Sequence, residues 1–269
     1  MTAIWGILNT TPDSFSDGGR YAEPEAAIAQ ARLMRAQGAA IVDVGGESTR
    51  PGAVRVDPAV ERARVLPVIE ALTDAGIPTS IDTLNADTAL AAVRAGSRIV
   101  NDVSGGLADE RMLSAVADLG ADIAIGHWRG PSADMYARAQ YVRVAREVAA
   151  ELRERVEAAK AAGIAPARII VDPGIGFAKT AEQNWEVLRG LDEISALGHR
   201  VLIGTSRKRL LADALHQVSG DSPLSERRRD LATAVTSALA ARAGVWAVRV
   251  HHVADTRDAL AVAGAWDGM

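Results

Sequence analysis

The sequence predicts a single-domain α/β protein, a (β/α)8 barrel over residues 1–269 with its chemistry at the carboxyl ends of the strands. Three observations carry this. Eight short apolar runs alternate with helical patterns from one end of the chain to the other. No linker, low-complexity tract or charge block interrupts them, and 269 residues suit one barrel. Nearly every apolar run ends in a hydrogen-bonding or charged residue, which is where barrel enzymes keep their reactive groups. An open doubly wound sheet is the competing arrangement, and a count of eight favours closure.

The elements read in order as follows. Ala3 to Leu8 is apolar and stops at Asn9, before the turn-rich loop TTPDSFSDGG. Pro24 suits a first helical position, Ala27, Ile28, Ala31, Leu33 and Met34 recur at helical spacing, and Gly38 is placed to end that helix. Ala40 to Val44 is the second strand and leads into GGESTRPGA. The next helix, Pro58 to Ala75, carries Pro67 inside, which predicts two pieces or a kink. Strands at Pro78 to Asp82 and Ser97 to Asn101 flank a helix at Ala86 to Ala95. A helix at Asp109 to Leu119 precedes the strand Asp122 to Gly126, which ends in HWRG. A long charged helix, Ala137 to Ala162, leads to the strand Ala167 to Val171 and DPGIGFAKT. After a helix at Ala181 to Leu197, Val201 to Ile203 stops abruptly at GTSRKR, just where another helix begins. Helix starts attract anions, because their first amides lack partners and the dipole is positive there. A helix at Arg227 to Arg242 has Leu231, Ala234, Val235, Ala238 and Leu239 on one apolar face, which a dimer could use but barrel packing alone would explain. Val245 to Val250 and a helix at Thr256 to Trp266 complete the count. Charge runs at Glu151 to Arg155 and Glu226 to Asp230 read as solvated helix faces.

Composition narrows the partners. A net charge of −4, from 30 basic and 34 acidic residues, offers no general attraction to nucleic acid or anionic membrane. The absence of cysteine excludes disulfides, thiolate metal sites and a cysteine nucleophile, and fits a reducing, cytoplasmic setting. No run is long and apolar enough to span a bilayer. Triad, HExxH and Walker patterns are missing, so triad hydrolysis and nucleotide-dependent phosphoryl transfer are disfavoured.

The strand ends offer two groups of side chains. Asp82, Asn101, Asp172 and Lys208 combine carboxylates, an amide and an ammonium, the mixture of acceptors and donors that the edge of a flat nitrogen heterocycle needs. Asn9, Arg249 and His251 come from strands that are neighbours in a closed barrel, and Arg249 and His251, two apart on one strand, share a face. They suit a diphosphate carried with Mg²⁺, the guanidinium on phosphate oxygens and the Asn9 amide oxygen on the metal.

Taken with ILNTTPDSFSDGG, GGESTRPGA, SIDT, NDVSGG, HWRG, DPGIGFAKT, GTSRKR and RVH, the chain from about Ile4 to Trp266 resembles the bacterial dihydropteroate synthases. The resemblance implies a pterin-binding, usually dimeric barrel of folate synthesis and a sulfonamide target. Such a transferase joins 6-hydroxymethyl-7,8-dihydropterin diphosphate to 4-aminobenzoate and releases diphosphate. It implies that Asp82, Asn101, Asp172 and Lys208 hold the pterin. Asn9 would bind Mg²⁺ and, with Thr49, Arg249 and His251, the diphosphate. Phe15, Thr49, Arg50, Pro51, Phe177 and Ser206 would surround the aminobenzoate. Asp13 and Asp17 would stabilise a pterin methylene cation. Departures from the family pattern fall at Thr10, Gly126, Arg209 and His252. A looser pterin wall is expected at Gly126, and a guanidinium near the aminobenzoate carboxylate at Arg209. A pterin-dependent methyltransferase domain and a catalytically silent pterin-binding paralogue remain the alternatives; the cationic and anion-binding sets argue against the former.

Overall fold

The computed structural model describes residues 2–10, 24–47, 55–130, 138–220 and 223–268. Asp13, Phe15, Asp17, Thr49, Arg50 and Pro51 lie outside them. The strands are β1 Ala3–Asn9, β2 Ile41–Gly45, β3 Thr79–Asp82, β4 Ile99–Asp102, β5 Asp122–Gly126, β6 Ile169–Asp172, β7 Arg200–Ile203 and β8 Ala247–Val250. All pair in parallel in sequence order, and β1 pairs with β8 to close the barrel. The helices outside it are α1 Pro24–Gln37, α2 Pro58–Asp74, α3 Ala86–Arg94, α4 Met112–Leu119, α5 Val144–Ala161, α6 Ala181–Arg189, α7 Leu191–Ser195, α8 Arg209–Ser219, α9 Glu226–Arg242 and α10 Val253–Trp266. Among the described residues no helix is long and apolar enough to cross a membrane.

Strand alternation builds the barrel interior in two storeys. Trp5, Ile99, Ala124, Ile170, Leu202 and Ala247 form a buried apolar plug near the amino end, with Ala3, Ile41 and Trp246 packed against it. Trp5 meets Trp246 edge-on, with ring centroids 5.9 Å apart. Two residues further along the same strands, on the same face, stand Asp43, Asn101, Asp172 and Arg249. The plug therefore serves as the dry floor of a polar mouth. The opposite strand faces pack under the helices in a second cluster that includes Val42, Val44, Ile81, Val100, Ile123 and Val171.

Some elements depart from the sequence reading. α2 runs through Pro67 as one helix, because Val65, Val68, Ile69 and Leu72 on both sides of the proline are fully packed, so burial offsets the lost donor. The sixth helical segment divides at Gly190, where a Cβ would lie 2.8 Å from Ala145 Cβ; the glycine admits α5 at close range. Leu231, Val235 and Leu239 do not pack on the barrel. They are 62%, 52% and 58% exposed, and Asp230, Thr233, Ala234, Thr236, Ser237 and Ala240 supply the buried side of α9 instead.

Two supposed solvated faces are also corrected. Glu151 accepts from Arg129 and pairs with His127, while Arg155 donates to the Gly105 carbonyl. Asp230 is buried and takes two bonds from Arg207, at 2.7 and 2.8 Å. Charge at helical spacing is equally what a helix needs to brace polar loops, and these loops lie against it.

Candidate active site

The residues anticipated at the strand ends converge, but not as two separate groups. Arg249 on β8 reaches across the barrel, its Nε donating to Asp43 of β2 and its Nη2 to Asp82 of β3. Asp43 also accepts from Asn101 Nδ2 at 3.0 Å and from the Ser80 hydroxyl. The predicted anion-binding arginine is thus joined to the predicted heterocycle-binding carboxylate. Asp43, fully buried, is the member the sequence reading missed. Its signal was one charged residue inside the apolar run IVDVG, which demands a partner.

Glycines at strand ends bring the remaining groups close. A Cβ on Gly45 would lie 3.6 Å from both Asn9 Oδ1 and Asp82 Cβ, so the Asn9 amide borders the same space. A Cβ on Gly204, after β7, would lie 3.9 Å from both Arg249 Cβ and Lys208 Nζ. Lys208 is the N-cap residue of α8, and its ammonium donates to the Ile175 carbonyl and sits 4.9 Å from the Phe177 ring centre. Asp172, at the end of β6, accepts from Gly174 N–H at 2.7 Å. Ser206 Oγ lies 2.8 Å from His251 Nδ1 and accepts the His251 backbone N–H at 3.0 Å.

Crowding of charge sets the electrostatics. Burial, with Asp43 nearby and Arg249 only partly offsetting it, pushes the Asp82 carboxyl up to about 7. Burial also raises Asp172 against the pull of Lys208 and lowers Lys208 to about 8 against the pull of Asp172. Arg249, although buried, is held above its ordinary value by Asp43 and Asp82. The mouth therefore mixes a fixed cation, an ammonium that burial lowers and carboxyls that burial raises, which suits a heterocycle offering both donors and acceptors.

Other predicted groups point elsewhere. Arg207 has φ 57°, a conformation that turns its guanidinium onto Asp230 of α9, between two neighbours that face the mouth. Arg209 is exposed and pairs with Asp213 at 3.8 Å on its own helix. His252 caps α10 by accepting from Asp255 N–H. At Gly126 the expected void is absent, because a Cβ there would lie 2.5 Å from the Val103 carbonyl oxygen, so backbone fills the space. His127 is buried between Lys179 and Glu151. Burial, reinforced by the Lys179 charge, lowers it to about 4.

The described residues contain no cluster of three His, Asp or Glu side chains able to hold a metal by themselves. Asn9 offers one neutral hard oxygen beside a mouth that carries the Arg249 guanidinium. That fits Mg²⁺ arriving on a diphosphate, with phosphate oxygens and water as its other ligands, rather than an all-protein metal cage.

Known proteins resemble this chain over nearly its whole length. The family described as "Pterin binding enzyme" matches residues 5–251. The dihydropteroate synthase of Mycobacterium leprae (strain TN) is 51% identical over 98% of this chain and 93% of its own. Xanthomonas albilineans dihydropteroate synthase with 4-aminobenzoic acid superposes with a TM-score of 0.89 at 39% identity, covering 100% of this chain and 94% of that one. The same enzyme in complex with 7,8-dihydropteroate gives 0.86 at 37% identity, again covering 100% and 94%. The site defines a pterin-binding barrel enzyme, and the chain belongs to the dihydropteroate synthase family.

Proposed function

We propose that this chain condenses 6-hydroxymethyl-7,8-dihydropterin diphosphate with 4-aminobenzoate to give 7,8-dihydropteroate and diphosphate. The observation that carries the reading is the joined set Asn101, Asp43, Arg249 and Asp82 over an apolar floor, with Lys208 beside Arg249. It offers a heterocycle-reading edge and a phosphate-reading cation in contact with each other. The scissile carbon of a pterin methyl diphosphate needs both.

In this reading Asp82, Asn101, Asp172 and Lys208 hydrogen-bond the pterin and fix its ring plane. Two of the guanidinium hydrogens of Arg249 go to carboxylates, and its donor capacity beyond those two turns to the diphosphate, together with His251. The start of α8, with Ser206 at its border, receives the aminobenzoate carboxylate, and Phe177 flanks its ring. Mg²⁺ held by Asn9 and the substrate would neutralise charge developing on the departing oxygen. The methylene–oxygen bond breaks, diphosphate takes the electron pair, and the aromatic amine attacks the methylene carbon and then loses a proton to solvent. Preorganised charge and positioning supply the acceleration, without a covalent enzyme intermediate. In the same reading, following the resemblance, Asp13 and Asp17 would stabilise the methylene cation, Phe15, Thr49, Arg50 and Pro51 would border the aminobenzoate, and Thr49 would also meet the diphosphate. Sulfonamides are expected to compete for the aminobenzoate subsite.

The test measures diphosphate release with both substrates and Mg²⁺, then with each component left out. Release should require all three. Release without aminobenzoate and Mg²⁺, or none with everything present, would refute the reading. The catalytically silent paralogue corresponds to that second outcome.

The protein is further read as a homodimer of the cytoplasm. Supporting the dimer is an apolar groove of about 580 Å³ between α9 and α10, lined by Leu231, Val235, Leu239, Val262 and Trp266 with Arg242, Asp255 and Asp258 among its borders. Val262 and Trp266 are 70% and 82% exposed, and such a contiguous patch with both charge signs can meet its own copy across a twofold axis. Supporting the location is the absence of cysteine.

A further inference from the structure

Lys179 is the last residue but one of the DPGIGFAKT motif and is among the most deeply buried charged side chains, with 1% of its surface exposed. Its Nζ lies 3.1 Å from the Gly174 carbonyl, 3.1 Å from the Phe177 carbonyl and 3.0 Å from His127 Nδ1. A lysine ammonium has three donors and no acceptor, so these partners use it completely. The chain after β6 is therefore wrapped around its own lysine, a path that needs φ 49° at Ala178.

The arrangement also sets a direction. Because the ammonium can only donate, His127 Nδ1 accepts and the ring proton sits on Nε2, 2.9 Å from Glu151 Oε2. Glu151 is clamped in turn by Arg129. One chain of charge-assisted bonds thus ties the β6–α6 loop to the end of β5 and to α5. Burial lowers Lys179 to about 7, while the charges of Asp172 and Glu151 pull the other way.

The outer side of the wrapped loop belongs to the site. Ile175 offers its carbonyl to Lys208, Phe177 lies beneath the same ammonium, and Gly174 N–H donates to Asp172. Asn184 adds neutral bonds to Gly176 N–H and to the Lys179 and Thr180 carbonyls.

We propose that Lys179 is a positioning residue: it fixes the β6–α6 loop from beneath, and through Ile175 and Phe177 sets where Lys208 stands between the two substrates. The inference rests on the substrate assignment above and adds a residue that does not touch either substrate. Removing the ammonium strands the Phe177 carbonyl and a ring nitrogen in a buried place and leaves the Gly174 carbonyl to the Phe177 N–H alone, so the loop must open or shift to find water.

The test is a double-mutant cycle read by pterin binding in calorimetry, which needs no turnover. Lys179→Met should weaken pterin binding about 10-fold or more in the parent and far less in a Lys208→Ala background, because its effect passes through Lys208. Amide hydrogen exchange should quicken over 174–179 and stay unchanged in β1 and β2. Lys179→Gln, which retains an amide donor, should fall between and serves if Lys179→Met does not fold. Equal losses in both backgrounds, or a Leu72→Ala variant of matched Tm showing the same loss of binding, would overturn the role for Lys179 while leaving the substrate assignment standing. A parent chain that binds no pterin would overturn both.

Discussion

Ser206 and His251 are tied to each other twice: the His251 backbone N–H donates to Ser206 Oγ at 3.0 Å, and the same oxygen lies 2.8 Å from His251 Nδ1. A hydroxyl accepting from the backbone still has its own proton to give. Donated to Nδ1, it leaves the ring proton on Nε2, the form in which a neutral imidazole donates to an anion on its far side. Ser206 also borders the proposed carboxylate subsite; with its one proton on Nδ1 the hydroxyl holds His251 and does not donate to the carboxylate. Ser206→Ala is expected to lower kcat by about 10-fold through His251, the scale of one hydrogen bond to a charged group, with KM for 4-aminobenzoate little changed. Steady-state kinetics with each substrate varied in turn checks this. A change in KM alone would detach Ser206 from His251.

Asp43 makes a second prediction. It is buried and holds Arg249, Asn101 and Ser80 at once. Asp43→Ala removes one partner of a buried ion pair and leaves the guanidinium to Asp82 alone. Loss of one partner in such pairs costs about 3–5 kcal/mol. Urea unfolding should show a fall of that order, and pterin binding should weaken because Asn101 loses its anchor. A variant within about 0.5 kcal/mol of the parent would mean that water replaces the carboxylate without strain.

The barrel and the mouth were legible for one physical reason. Strand side chains alternate, so Ile99 before Asn101, Ile170 before Asp172 and Ala247 before Arg249 each announce an apolar floor under a polar group. What stayed hidden depends on direction. Arg207 stands between Ser206 and Lys208 in sequence, and only its φ of 57° sends it to α9. Lys179 reads as one more loop cation until the loop is seen to fold around it. Asp43 was read as part of a strand, since its partners come from β3, β4 and β8 and no local pattern brings them together. The division between α6 and α7 required knowing that α5 approaches Gly190.

Acid stability follows from His127 and Glu151. Burial and Lys179 lower His127 to about 4, so between about 6.5 and 4 the unfolded chain binds more protons, and stability falls as pH drops through that window. Although burial opposes it, bonds from His127 and Arg129 hold Glu151 down at about 2. Its contribution is complete above about 4.5 and is lost as pH falls toward 2. The difference in urea midpoint between the parent and Glu151→Gln, followed from pH 8 to pH 3, separates this network from Asp82, whose raised carboxyl acts in the opposite direction. In Glu151→Gln the deficit against the parent should be full near neutrality and shrink on acidification. A deficit independent of pH would show that the carboxylate charge contributes nothing through this network.

The groove between α9 and α10 gives the last prediction. Val235 lies in the middle of α9 between Leu231 and Leu239, is 52% exposed, and faces away from the barrel. A charge at this position costs the folded monomer little, because no core contact is lost. In a twofold interface the same residue occurs twice, so Val235→Glu would bury two like charges near each other and leave both without a partner. Sedimentation should find the parent as a dimer at micromolar concentration and Val235→Glu as a monomer with an unchanged Tm at low concentration. The mouth formed by Arg249, Asp82 and Lys208 is assembled within one chain, so the monomer should retain pterin binding. A parent that sediments as a monomer would exclude a second copy as the occupant of the groove.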